Sequence, residues 1–158
     1  YHPYLEKLSA YVKEYRPNAK QYLHMTWAYE RNFVSDEYER HYGSDQGKMH
    51  ECVVSAYEKA RESMGNDCFG IIPTGKAIAK IRESGLFDID RGGMSINRDG
   101  FHLSLIYGRF AAASVWYETL FGKSITENPY IPPHIFGNGF DERTEYIRKC
   151  VHSVCSEK

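Results

Sequence analysis

The segment Arg98-Asp99-Gly100-Phe101-His102-Leu103-Ser104 sets a carboxylate and an imidazole three residues apart. An Asp that accepts the proton on one ring nitrogen fixes the tautomer and stabilises the imidazolium. The other nitrogen is then free to act as general base toward a hydroxyl nucleophile. Two readings compete at this point: Asp99 and His102 as a catalytic pair, or Asp99 as a helix cap beside a packed His102. D-x-x-H spacing alone does not choose between them.

The remaining ligand-type residues give no further motif. His41 and His50 stand nine apart across a loop and a helix start, which is not metal spacing. Cys52, Cys68, Cys150 and Cys155 match neither a zinc site nor a thioredoxin-like pair. No metal and no cofactor is assigned. Cys52 falls on an apolar helical face and reads as a small buried hydrophobe. Cys150 and Cys155, five apart on a helix, diverge too far for a mutual disulfide and read as free thiols.

The elements that must position the pair follow from periodicity. Leu5, Leu8, Val12 and Tyr15 recur at helical spacing until Pro17 stops the run. Gln21 to Ala28 reads as a strand covered on both faces, and Arg31 to Gly47 as a polar loop. The next helix carries Met49, Cys52, Val53, Ala56, Tyr57, Ala60 and Met64 on one stripe and ends at the turn Gly65-Asn66-Asp67. CFGIIPTG is a second buried strand, so strand, helix and strand form a parallel crossover unit. A short helix around Ala77, Ile78 and Ile81 follows, then a long one with Ile106, Phe110, Ala113, Tyr117 and Leu120 on one face. The last helix turns Ile147, Cys150, Val151 and Val154 inward.

In open parallel sheets, ligands bind beyond the carboxyl ends of the strands. That rule nominates Trp27, Tyr29 and Glu30 after the first strand, and Thr74 and Gly75 after the second, as cleft-facing. Trp27 is either an apolar, sugar-stacking wall or a core residue. Glu30 reads as a solvated surface charge, and His24, mid-strand, as a satisfied buried histidine.

A parallel sheet of this kind normally has five or so strands between helices. Two strands leave a long apolar edge that invites pairing with another segment. The expectation is an α/β chain forming a portion of a three-layer sandwich, with its first strands in an amino-terminal segment upstream of Tyr1. Any targeting signal, and with it a secreted or periplasmic location, would lie there too. A formal charge of −1 supplies no global field toward nucleic acid or an anionic membrane. No apolar run approaches the roughly 20 residues of a membrane span.

Asp99-Gly100-Phe101-His102-Leu103-Ser104, with the later Val115-Trp116-Tyr117-Glu118 and Leu120-Phe121-Gly122, resembles the last conserved block of the SGNH (GDSL-like) hydrolases. It looks most like an uncharacterised bacterial family among them. Leu23 to Tyr29 and Ile71 to Ala77 resemble that family's fourth and fifth strands, in order. The likeness spans residues 1–122 and leaves 123–158 as a carboxyl-terminal extension with one helix, packed on the same domain. It implies a flavodoxin-like sandwich and a serine esterase or deacylase acting on a small-molecule or carbohydrate ester. Asp99 and His102 would be two members of its triad. The family's Gly-Asp-Ser-like block and Gly-x-Asn-Asp block are not identifiable, so the nucleophile is expected in the absent upstream segment. The alternative is a non-catalytic binding or interaction module that keeps the fold.

Overall fold

The structure, a computed structural model, describes residues 3–132 and 141–157. It is helix-rich α/β. The order is α1 (Tyr4–Tyr15), β1 (Gln21–His24), α2 (Asp36–Tyr42), α3 (Gln46–Met64), β2 (Cys68–Ile72), α4 (Thr74–Ile81), α5 (Tyr107–Phe121) and α6 (Glu142–Ser156). β1 and β2 pair in parallel, with Leu23 opposite Ile71 and His24 opposite Ile72. α3 and α5 both pack on β2, which leaves the two-stranded sheet flanked by helices.

β1 is half the expected length, because its partner ends. Met25 N–H still reaches the Ile72 carbonyl at 3.0 Å, but Pro73 has no N–H and the chain turns at once into α4. The segment expected as a polar loop, Arg31 to Gly47, contains α2. Ser35 caps it by accepting from Tyr38 N–H at 3.1 Å, and Gly43, at φ 62°, closes it. Only Tyr38 of that helix is buried, so no periodic stripe announced it.

The main core gathers Ile72 from the end of β2, Ile78, Ile81, Val115, Ile147 and Val151 from the three helices α4, α5 and α6, and Phe87 and Ile96 from the connection between α4 and α5. Burying each such side chain is worth about 1.5–3 kcal/mol. α6 turns Ile147, Cys150, Val151 and Val154 inward, as its spacing indicates, and packs on α4 and α5. α5 rotates relative to expectation. Its buried face is Phe110, Ala111, Ser114, Val115 and Glu118, whereas Ala113 and Leu120 are exposed. Cys52 is exposed rather than buried, because α3 is covered only along Met49, Ala60 and Met64. All four cysteines are free. α1 forms as expected but buries only Ser9, with Leu8, Tyr11 and Tyr15 turned outward.

Candidate functional site

The acid and imidazole lie on a tight hairpin between the core residue Ile96 and the start of α5. Asn97 and Leu103 form an isolated antiparallel bridge. Arg98 N–H donates to the His102 carbonyl, and Ser104 N–H to the Ile96 carbonyl, each at 2.9 Å. Gly100 sits at the tip with φ 87°, a conformation that side-chain-bearing residues seldom adopt.

Within this loop Asp99 uses both oxygens. Oδ1 accepts from His102 N–H at 2.8 Å and from Phe101 N–H at 3.3 Å, an Asx-type turn. Oδ2 meets His102 Nδ1 at 2.8 Å. Asp99 therefore does not cap α5. Ser104 serves that helix, its hydroxyl accepting from Gly108 N–H at 2.9 Å. Partial desolvation works to raise the Asp99 pKa. The hydrogen bonds from the His102 ring, His102 N–H and Phe101 N–H, with the charge of His102, overcome it and hold the carboxyl at about 2.

With Nδ1–H donated to Asp99, His102 presents Nε2 as an acceptor. No described residue hydrogen-bonds that nitrogen. The His102 side chain is 53% exposed, and its ring lies over Phe101 at a centroid distance of 4.0 Å. The site is an open surface. A cavity of about 620 Å³ lined by Gln46, His50 and Arg82, and one of about 710 Å³ lined by Glu118, His152 and Cys155, both lie elsewhere.

Trp27 and Tyr29 reach this hairpin from the segment after β1, and both do so through Phe101. The half-buried Trp27 donates its indole N–H to the Phe101 carbonyl at 2.7 Å and packs on the main core. The Tyr29 ring sits 6.0 Å from Phe101 in a small aromatic cluster with Phe33 and Tyr38. Thr74 is fully buried at the start of α4, its hydroxyl 2.9 Å from His24 Nε2. His24 ends β1 half-buried against the edge of Trp116, and burial lowers its pKa.

Glu30 is where the sequence misled most. It is 2% exposed rather than solvated, and its carboxylate receives Gln46 Nε2 at 3.0 Å and the Ser95 hydroxyl at 2.7 Å. Arg82, also buried, faces it. Their separation in sequence hid them, since no local pattern links residues 30, 82 and 95.

Among the described residues, no group of three or more His, Cys, Asp or Glu is placed to hold a metal ion. No described helix is long and apolar enough to cross a membrane. A family model described as a domain of unknown function, DUF4886, matches residues 1–142. The crystal structure of a DUF4886 family protein from Bacteroides uniformis is similar, with a TM-score of 0.79 at 33% sequence identity. The match covers 95% of this chain and 53% of that one, so the chain spans about half the length of this relative. No curated protein matches the chain.

Proposed function

The chain belongs to the DUF4886 family, and from that premise we propose that it is part of an SGNH-type serine ester hydrolase in which Asp99 and His102 are two members of the triad. The observation that carries the reading is the 2.8 Å contact between Asp99 Oδ2 and His102 Nδ1, with Nε2 turned to an open surface. In this reading Nε2 takes the proton from a serine hydroxyl as its oxygen attacks the ester carbonyl, and returns it to the departing alcohol. Water then hydrolyses the acyl-enzyme by the same route. Asp99 stabilises the imidazolium throughout and stays ionised.

The nucleophile, the oxyanion donors and the first strands of a three-layer sandwich belong, on this proposal, to a segment outside these residues. A relative about twice as long, a sheet of two strands among the described residues and a dyad on open surface all favour that arrangement. The substrate class is an ester of a small molecule or carbohydrate.

The test is the hydrolysis of a short-chain nitrophenyl ester by the full-length protein. His102→Ala is expected to lower kcat/KM by about 100-fold or more, the range of general acid–base contributions. Asp99→Asn should leave more activity than that, because other groups can orient the ring. A folded His102→Ala protein that hydrolyses the ester at the parent rate overturns the assignment. A full-length parent with no hydrolysis at all favours a non-catalytic binding module.

A further inference from the structure

Behind the hairpin lies a buried ionic network. Arg82, near the end of α4, donates to the Ala28 carbonyl at 3.0 Å and to Asn97 Oδ1, while its Nε faces Glu30 Oε1 at 3.5 Å. Both side chains are almost entirely withdrawn from water, at 6% and 3% exposure. Burial pulls the Arg82 pKa down, and Glu30 pulls it back up.

A buried pair of this kind is weak evidence of stabilisation, because desolvation offsets most of the Coulombic gain. Here the partners are distributed in a particular way. Glu30 takes Ser95 and Arg82 takes Asn97, both on the incoming leg of the hairpin. Ser95 Oγ also accepts from Asn97 N–H at 3.1 Å. Glu30 N–H donates to the Gly100 carbonyl at the tip at 2.6 Å, one residue before the carbonyl held by Trp27. The incoming leg of the Asp99–His102 loop is thus fastened to the side chains of one ion pair, and its tip to the Glu30 backbone and the Trp27 indole. The network touches neither Asp99 nor His102 side chains.

We propose that Glu30 and Arg82 are positioning residues for the dyad, holding the loop so that Nδ1 of His102 stays on Asp99 and Nε2 keeps one direction. The catalytic meaning of this rests on the hydrolase reading, but the geometric claim does not. A lysine at position 82 has one ammonium and cannot span the Ala28 carbonyl, Asn97 and Glu30 together. Ser95→Ala is the milder perturbation, removing the hydroxyl that links Glu30 to the loop and accepts from Asn97 N–H.

The experiment uses full-length protein with ¹⁵N-labelled histidine and follows the hydrogen-bonded Nδ1 proton of His102, alongside circular dichroism melts and ester hydrolysis. Arg82→Lys and Ser95→Ala are expected to broaden or abolish that resonance while the fold persists. They should also lower kcat about 10-fold or more at unchanged KM, the scale of a misplaced reacting group. Ser95→Thr, which restores the hydroxyl, should recover both signals. If Arg82→Lys does not fold, Ser95→Ala and its rescue decide the matter. A wild-type His102 resonance in folded Ser95→Ala and Arg82→Lys proteins overturns the proposal, even if hydrolysis depends on His102. A disturbed resonance in a protein whose hydrolysis ignores His102→Ala would uphold the positioning and remove the hydrolase reading instead.

Discussion

Gly100→Ala isolates the constraint at the hairpin tip. The position has φ 87°, and a Cβ there would lie 2.5 Å from Phe33 Cδ2 and 3.0 Å from Phe33 Cβ. Phe33 cannot simply swing aside, because its ring is flanked by Tyr29 at 4.9 Å and Phe101 at 5.3 Å. Backbone strain of a left-handed residue costs roughly 1–2 kcal/mol. Overpacking against hemmed-in neighbours costs about 1–3 kcal/mol more. Gly92→Ala supplies the control, since Gly92 has φ 78° but nothing within 4 Å of its would-be Cβ. At about 2–4 °C per kcal/mol for a domain of this size, Gly92→Ala should lower Tm by roughly 2–8 °C and Gly100→Ala by several degrees more. Calorimetry of the two variants beside the parent reads the difference. Equal Tm values for Gly100→Ala and Gly92→Ala would refute the argument that Phe33 closes the space at the tip.

Trp27→Phe keeps the ring in the core but removes the donor to the Phe101 carbonyl. It should cost about 1–3 kcal/mol in urea unfolding, the penalty of an acceptor left unpaired, and a loss near zero would mean that this bond does not hold the loop. The Asp99 carboxyl should titrate at about pH 2 in a ¹³C experiment. Its folded pKa lies below the unfolded value of about 3.9, so its contribution to stability is complete above that value and is lost as the pH falls toward 2. A titration near 4 would show that the loop's hydrogen bonds to Asp99 do not form.

What could be read from the sequence divides by distance along the chain. Asp99 and His102 are three apart and meet within one turn, so their contact was open to a local reading. α3 and α6 were legible because long stripes at helical spacing leave little ambiguity, although α3 meets too few neighbours to bury Cys52. α5 misled because Ala111, Ala112 and Ala113 are apolar on every side, and only packing decides that Ala111 goes in and Ala113 stays out. α2 carries a single buried residue, Tyr38, too little for periodicity to detect. The roles of Glu30 and Trp27 depend on partners 65 and 74 residues away, Ser95 and Phe101, and no spacing rule reaches that far. Thr74 follows β2, a place that points to the cleft, but its hydroxyl is turned inward to His24.

The central claim, that Asp99 and His102 serve a serine nucleophile supplied by another segment, is tested most directly by treating the full-length protein with a fluorophosphonate and mapping the adduct by mass spectrometry. A single phosphonylated serine outside residues 1–158 is expected, with labelling abolished in folded His102→Ala protein. No adduct on the folded parent, an adduct on a serine within these residues, or labelling indifferent to His102→Ala would contradict it.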